Sequence, residues 1–253
     1  MKSLSSTSLG NQAYPRVDGV VFRSKGSLLR GILFQADGEG PHPTLLLLHG
    51  IPGIEQNVDI ARALCQKGWN ALIFHYRGCW GSEGRYSILG ILEDTKVAVQ
   101  FLKELDTVDR NRMAIAGLSL GGWASLAYAS NDCAFQCIVS MAPLADPRTT
   151  PLSRTEAEKF AVMLSGTSAI KLQDEWKKIP PLTSFAPKLH GRRILLITAG
   201  RDEYFTPTYY HDFLVAAPWV ESLNFPRADH VFFNCRRKLL QTVVSWLNNC
   251  CGW

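Results

Sequence analysis

A serine in a glycine-rich turn is the first feature of this sequence that could carry out covalent chemistry. Residues 112–130 read RMAIAGLSLGGWASLAYAS, so an apolar run ends in the turn GLSLG around Ser119. The turn fits the pattern G-x-S-x-G, in which glycines allow a sharp strand-to-helix corner to pack against neighbouring backbone. Such a corner exposes the serine as a nucleophile for acyl transfer. A glycine-rich turn after a strand can also bind phosphate or be purely structural, so the pattern alone does not decide.

A serine nucleophile requires an imidazole as general base and a carboxylate that orients it. Asp202 follows the apolar run ILLITAGR, and His230 lies in FPRADHVFF, after the last predicted strand. Ligand-binding loops of α/β sheets lie beyond the carboxyl ends of strands, where Ser119 also falls. The chain order Ser119, Asp202, His230 therefore predicts a catalytic triad. Asp146 and Glu203 stay open as rivals for the carboxylate.

The same mechanism requires two backbone N–H donors for the oxyanion of the tetrahedral intermediate. One is predicted to be the amide of Leu120, at the start of the helix after the serine, where the helix dipole favours negative charge. The other is predicted to be the amide of Ile51 in the loop HGIPG, which follows the apolar run TLLLL. We expect His49 to hold this loop by hydrogen bonding and not to act as a base.

Aromatic side chains close to these residues in the sequence are candidates for the acyl pocket. One of them, Trp123, falls four residues after the serine, so it could equally belong to the core of the helix. The predicted substrate-binding residues are Trp80, Trp123, Tyr204, Phe205 and Phe160.

Short β-branched or leucine-rich runs alternate with longer helical patterns, which predicts a mostly parallel sheet of about eight strands with helices on both faces. The first two strands are expected to form an antiparallel hairpin. Predicted strands cover residues 20–22, 28–35, 44–48, 69–76, 113–116, 135–141, 194–199 and 220–225. Predicted helices cover residues 58–67, 88–105, 207–216 and 237–247, with a further helix after the serine.

About fifty residues between two predicted strands do not fit one strand-helix unit. Ser153 and Glu156 have the spacing of a capping box, and the helix that they begin is expected to continue through Leu164. A second helical piece surrounds residues 172–177 and ends at two prolines. The sequence therefore predicts a single domain over residues 1–253, with residues 143–191 inserted as a small helical lid.

Composition narrows the class of protein. The chain has 253 residues, 46% hydrophobic and 19% charged, which is typical of a globular protein. The net charge of +5 comes from Lys and Arg scattered along the chain, so we expect neither a nucleic-acid partner nor a membrane partner. No apolar run approaches the roughly 18 residues of a membrane span, and the amino terminus does not resemble a signal peptide.

The cysteines predict a reducing environment. There are seven, an odd number, and they lack the spacings of a zinc site. Cys65, Cys133 and Cys137 lie among apolar residues, where a reduced thiol behaves as a small hydrophobe. We therefore expect free thiols and a cytoplasmic protein.

Four motifs together resemble those of the α/β-hydrolase fold: HGIPG, GLSLGG, AGRDEYFTP and ADHVF. The segments VDRNRMAIAGLSLGGWASL and FHYRGCWGSEGRYS are further similar to the prolyl-oligopeptidase-like, serine-aminopeptidase-like and dienelactone-hydrolase-like branch. The resemblance covers about residues 20 to 250. Ser119 stands where dienelactone hydrolases carry cysteine and where dehalogenases carry aspartate. We expect no propeller domain like that of prolyl oligopeptidases, so the resemblance does not imply a peptidase.

These features predict a serine hydrolase of the carboxylesterase type that acts on esters of small to medium acyl groups. The mechanism requires no metal and no organic cofactor. An aminopeptidase or amidase stays open, because Glu83, Glu203 or Asp229 could bind a free substrate amine. An acyltransferase or a non-catalytic ligand receptor on the same fold is a third possibility. The expected partner is a small-molecule ester or short acyl substrate, bound by a monomer or homodimer.

Overall fold

An eight-stranded sheet, ordered β1-β2-β4-β3-β5-β6-β7-β8, forms the centre of the computed structural model, which describes residues 15–250. The first two strands pair antiparallel with each other, and β2 pairs antiparallel with β4. All other neighbours are parallel, which confirms the predicted architecture. The strands are β1 Arg16–Ser24, β2 Ser27–Gln35, β3 His42–Leu48, β4 Asn70–Phe74, β5 Val108–Leu118, β6 Phe135–Met141, β7 Arg193–Ala199 and β8 Glu221–Phe225.

Helices cover both faces of the sheet. Buried residues of α2 and α3 belong to one hydrophobic cluster, and buried residues of α1 and α8 belong to the other. The helices are α1 Val58–Cys65, α2 Ile91–Lys103, α3 Leu120–Ala129, α4 Arg154–Ala161, α5 Ala169–Trp176, α6 Ala186–Leu189, α7 His211–Ala216 and α8 Arg236–Cys250.

Strand β3 explains how the two clusters share the sheet. Successive side chains of a strand point to opposite faces. Leu46 and Leu48 accordingly lie in the cluster with α2 and α3, whereas Leu45 and Leu47 lie in the cluster with α1 and α8. A run of leucines is therefore what a strand covered on both faces requires.

Several predicted elements differ in extent from those in the structure. Strand β1 runs from Arg16, well before residue 20, because this edge strand alternates apolar and charged side chains and leaves Val17 half exposed. The predicted helix over 88–105 begins only at Ile91, after a turn. The predicted helix over 207–216 is divided into a 3-10 turn and α7, and α4 ends at Ala161, before residue 164.

The segment 143–191 contains α4, α5 and α6 and is firmly attached to the sheet domain. The capping box of Ser153 and Glu156 begins α4 as predicted. The carboxylate of Glu175 on α5 accepts hydrogen bonds from the Ile88 amide at 2.6 Å and from the Ser87 hydroxyl at 3.0 Å. These contacts fix α5 against the turn that precedes α2.

One expectation about the cysteines is wrong. Cys137 in β6 forms a disulfide with Cys250, the last residue of α8, across a sequence separation of 113 residues. Cys133 is exposed, whereas Cys65 is buried and reduced as expected. The pairing could not be read from the sequence because it depends on how α8 packs against the sheet. Cys251 lies outside the described residues.

Within residues 15–250, none of the helices has both the length and the apolar content that crossing a membrane requires. The cytoplasmic location stays a prediction, and the disulfide does not support it.

Candidate active site

Ser119 occupies a sharp corner between the end of β5 and the start of α3. Its backbone has φ 58° and ψ −122°, a region that non-glycine residues rarely adopt. Hydrogen bonds on both sides hold the corner: the Ser119 amide donates to the Met141 carbonyl at 2.9 Å, and the Trp123 amide donates to the Ser119 carbonyl at 3.1 Å. A strained residue that is held in this way is a common feature of functional sites.

Two glycines make this corner possible. A Cβ at Gly117 would collide with the backbone of Gly121. A Cβ at Gly121 would collide with the carbonyl oxygen of Leu48 and lie 2.6 Å from that of His49, at the end of β3. The spacing G-x-S-x-G therefore follows from the close packing of the corner against β3 and its loop.

The structure brings the predicted acid and base together. Nδ1 of His230 lies 2.8 Å from Oδ2 of Asp202. The other oxygen, Oδ1, accepts hydrogen bonds from the Tyr204 amide at 2.8 Å and the Phe205 amide at 2.9 Å, and the Asp202 side chain is fully buried. An Nδ1–H that donates to this carboxylate leaves Nε2 of His230 as the free acceptor, which is the tautomer that a general base requires.

Aromatic rings hold the base in place. The ring of Tyr204 lies edge-on to the His230 ring at a centroid distance of 4.9 Å, and the ring of Phe205 does so at 5.3 Å. Phe205 in turn stacks on Tyr209 at 4.9 Å. These contacts limit rotation of the imidazole.

The rival carboxylates have other partners. Asp146 binds the guanidinium of Arg148, with distances of 2.9 Å to Nε and 2.6 Å to Nη2, and hydrogen bonding to Arg148 lowers the pKa of Asp146. Glu203 accepts a hydrogen bond from the backbone amide of His230 at 3.3 Å, not from its ring. Asp202 is the carboxylate that contacts the imidazole.

The loop HGIPG lies directly beside the serine. A Cβ at Gly50 would lie 3.0 Å from Cβ and 3.6 Å from Oγ of Ser119. Leu120 is the first residue of α3, so its amide has no acceptor inside the helix. In the described part of the chain, the Ile51 amide also has no hydrogen-bond acceptor. Both amides are therefore available as donors near Ser119.

His49 holds this loop, in agreement with its predicted role. Nδ1 of His49 lies 2.7 Å from the carbonyl oxygen of Gly50, and the ring is buried. Burial lowers the pKa of His49 to about 3, so the imidazole is neutral at ordinary pH. With its Nδ1 engaged by the loop, this histidine is not placed to act as the base.

Ser119 and His230 line a shared cavity of about 410 Å³. Of the predicted pocket residues, Tyr204, Phe205 and Phe160 line it. The remaining wall consists mainly of apolar side chains from the loop after β3, from the segment 143–191 and from the residues after His230. Those side chains include Ile51, Ile54, Leu152, Trp176, Val231 and Phe233. Within residues 15–250, no cluster of His, Cys, Asp or Glu has an arrangement that could hold a metal ion.

Two of the predicted pocket residues do not line the cavity. Trp123 is buried within the core, and its Nε1 donates to the Pro180 carbonyl at 2.8 Å, so it supports the segment 143–191. Trp80 is half exposed, and its Nε1 donates to the Pro52 carbonyl at 2.8 Å. It braces the loop HGIPG from a position away from the cavity wall.

Sequence reasoning did not identify Leu152, Trp176 and Phe233 as parts of the cavity wall. The only sequence feature that pointed to Leu152 and Trp176 as cavity residues is their position within the predicted lid. Phe233 follows His230 by three residues but was assigned no role. Their approach to Ser119 depends on how α4, α5 and the loop before α8 pack, which the sequence pattern does not specify.

Comparisons with known proteins place the chain in a family. A model of the prolyl oligopeptidase family matches residues 62–253. Among curated proteins, the quorum-quenching protein AidA of Acinetobacter baumannii is 32% identical over 145 residues, which are 55% of this chain and 47% of AidA. The chain spans less than half the length of AidA and of other curated relatives that it matches.

Solved structures share the fold at low sequence identity. The 2,6-dihydroxy-pseudo-oxynicotine hydrolase has a TM-score of 0.79 at 15% identity, with 94% of this chain and 69% of that chain covered. Est1E from Butyrivibrio proteoclasticus has a TM-score of 0.75 at 14% identity, with 93% and 99% covered. With the family match over three quarters of its length and this shared architecture, the chain belongs to the prolyl oligopeptidase family and has the α/β-hydrolase fold.

Proposed function

We propose that this chain is a serine hydrolase that cleaves carboxylic esters of small to medium acyl groups. The observation that carries the proposal is the hydrogen bond between His230 and Asp202, made at a cavity that Ser119 also lines. The mainly apolar wall of that cavity suits an acyl chain better than a charged group.

In the proposed mechanism, Oγ of Ser119 attacks the acyl carbonyl while Nε2 of His230 takes its proton. Asp202 holds His230 in the tautomer with a proton on Nδ1 and stabilises the imidazolium that forms. The amides of Ile51 and Leu120 bind the oxyanion, and each such donor typically contributes about 10²- to 10³-fold in rate. His230 then protonates the departing alcohol, and water releases the acid from the acyl-enzyme by the same route.

We further propose that residues 143–191 act as a lid that selects the acyl group. This segment supplies Leu152, Phe160 and Trp176 to the cavity wall. Hydrophobic pockets discriminate by about 1–3 kcal/mol for each methylene, so three side chains of this size are sufficient to set a preference for chain length.

An aminopeptidase or amidase is the alternative, and one observation favours it. Glu203 and Glu156 both line the cavity, and a carboxylate there could bind a free substrate amine. The other two candidates do not line the cavity: Glu83 accepts from the Leu28 amide at 2.9 Å, and Asp229 accepts from the Phe233 amide at 2.7 Å. Glu203 is therefore the residue on which the alternative depends.

A fluorophosphonate probe tests the proposed nucleophile. We expect mass spectrometry to locate the adduct on Ser119, with no adduct on Ser119→Ala. Ser125→Ala serves as the matched control, because that hydroxyl is buried and hydrogen-bonded to the Gly122 carbonyl within α3. An adduct on another residue, or none on the wild type, contradicts the proposal.

A substrate panel separates the two reaction classes. p-Nitrophenyl esters of increasing acyl length and aminoacyl p-nitroanilides are compared by kcat/KM on one protein preparation. We expect the esters to be the better substrates. If the anilides are better and Glu203→Gln selectively raises their KM, the aminopeptidase alternative is correct.

A further inference from the structure

A second cavity, of about 430 Å³, adjoins the one that contains Ser119. Thr150 and Tyr204 line both cavities, so the two share a wall. The second cavity lies among the residues that follow β6 and β7, at the same edge of the sheet as the triad. The proposed hydrolysis assigns no role to this second cavity.

The lining of this second cavity is polar, in contrast to the first. It includes the hydroxyls of Thr183, Thr206 and Thr208, the ion pair of Asp146 with Arg148, and the carboxylate of Asp212. Hydroxyls both donate and accept hydrogen bonds, a guanidinium only donates and a carboxylate only accepts. Such a mixture suits a ligand with several hydroxyl groups.

Two of these groups form no hydrogen bond in the described part of the chain, although one of them, Asp212, interacts electrostatically with Arg148. Thr206 and Thr208 bond to each other at 3.0 Å, and Asp146 holds Arg148. In the part of the chain that the structure describes, the side chains of Thr183 and Asp212 form no hydrogen bond or ion pair. Both line the cavity and have free hydrogen-bonding capacity for a ligand.

The chemistry of ester hydrolysis connects the two cavities. When the acyl C–O bond breaks, His230 gives its proton to the departing alkoxide, so the alcohol half of the ester must lie next to His230. The Tyr204 ring contacts His230 at a centroid distance of 4.9 Å and also lines the second cavity. The Tyr204 amide is fixed by Asp202 at 2.8 Å, which holds this residue at the boundary.

We propose that the second cavity binds the alcohol half of the substrate and that this half is a neutral group with several hydroxyls, as in a sugar or glycerol. The inference rests on the proposed function, with the acyl half in the apolar cavity at Ser119. Tyr204 forms the boundary across which the ester extends. The Asp212 carboxylate accepts hydrogen bonds from the alcohol's remaining hydroxyls, and the Thr183 hydroxyl donates to them or accepts from them.

Matched esters test this assignment. The hexanoyl esters of glucose and glycerol are compared with hexyl hexanoate, whose alcohol half has no further hydroxyl. In the wild type we expect a higher kcat/KM for at least one of the two polyol esters. Asp212→Ala and Thr183→Val should each lower kcat/KM for that ester by about tenfold and change it for hexyl hexanoate by less than about twofold.

A control variant and a binding measurement complete the test. Asp174→Ala removes an exposed carboxylate of α5 that pairs with Lys177, and it should preserve the ratio between the esters. In the Ser119→Ala background, calorimetry should show that Asp212→Ala weakens binding of the preferred polyol ester by about tenfold. An equal loss of kcat/KM for all three esters, or unchanged binding of the polyol ester, overturns the inference.

The outcome distinguishes this inference from the function on which it rests. A wild type that forms the fluorophosphonate adduct and cleaves hexyl hexanoate, yet shows no preference for either polyol ester, overturns only the second-cavity assignment. A wild type without adduct or turnover contradicts the serine hydrolase. In that case, binding of the polyol esters by the Ser119→Ala variant still decides whether the second cavity takes such a group.

Discussion

Asp202 combines three contacts that no other carboxylate of the described chain makes: one with the base and two with backbone amides of its own loop. We expect Asp202→Asn to lower kcat for a p-nitrophenyl ester by about 10⁴-fold, because an amide favours the wrong imidazole tautomer. Asp146→Asn is the matched control, and it should lower kcat by less than about tenfold because Asp146 binds Arg148. Larger loss in Asp146→Asn than in Asp202→Asn means that the acid is misassigned.

His49 gives the fold a dependence on pH. Burial lowers its pKa to about 3, whereas an unfolded histidine has a pKa of about 6.5. Between these values the unfolded state binds a proton that the folded state does not, so stability falls as pH falls. The free energy of unfolding should decrease by about 1.4 kcal/mol for each pH unit from this residue alone.

The variant His49→Gln removes that contribution. Urea unfolding at several pH values between about 5 and 7 should show a shallower loss of stability than in the wild type. Part of the slope should persist, because burial also lowers the pKa of His75. His211→Gln, at an exposed position, serves as control and should keep the wild-type slope. Identical slopes in His49→Gln and wild type contradict the prediction.

At the scale of elements, a buried carboxylate on α5 connects this helix to the turn before α2. Glu175 accepts hydrogen bonds from the Ile88 amide and the Ser87 hydroxyl, and Glu175→Ala leaves the Ile88 amide without its partner. The free energy of unfolding should fall by about 2 kcal/mol. Hydrogen exchange should also become faster within residues 143–191. Asp174→Ala, one position earlier and exposed, should change neither measurement.

The strands show which elements a sequence can specify. β6 matches its predicted bounds, Phe135–Met141, because most of its residues are apolar and buried, as expected of a parallel strand covered on both faces. β1 is three times as long as expected, because Arg16 and Asp18 at its start and Arg23 near its end interrupt the apolar pattern from which strands are predicted. Patterning therefore locates the strands but does not fix their lengths. The central strand β5 covers Val108–Leu118 against a predicted 113–116, whereas the edge strand β8, Glu221–Phe225, is nearly as predicted.

The sequence likewise predicts only part of the candidate site. The placement of Ser119, Asp202 and His230 at one edge of the sheet could be predicted because each residue lies in the turn or loop after a strand, and parallel strands end at the same edge. Trp123 was misassigned because position along α3 does not reveal which side of the helix faces the cavity. Phe233 and Trp176 reach the cavity only through the packing of distant segments.

At the scale of the whole molecule, the last helix is joined covalently to the sheet. The Cys137–Cys250 disulfide connects β6 to the end of α8, and both residues belong to the hydrophobic cluster that α1 and α8 cover. The closed loop contains the segment 143–191, Asp202 and His230. The disulfide therefore encloses most of the proposed site except Ser119 and its loop.

Cross-linking restricts the unfolded chain, and the restriction grows with the length of the loop that is closed. For a sequence separation of 113 residues, the chain-entropy estimate is about 4–5 kcal/mol. Reduction of the disulfide should therefore lower the free energy of unfolding by several kcal/mol. Because reduction does not remove Ser119, Asp202 or His230, the reduced protein should keep the proposed esterase activity under conditions in which it stays folded.

Urea unfolding with and without dithiothreitol measures this effect. Cys250→Ser should match the reduced wild type, and dithiothreitol should not destabilise the variant further. Cys133→Ser is the control, because that thiol is exposed and free; it should keep both the stability and the response to reductant. Mass spectrometry of the unreduced protein should find the peptides of Cys137 and Cys250 linked. If both are free thiols in freshly prepared protein, the pairing does not form and the expected stabilisation is wrong.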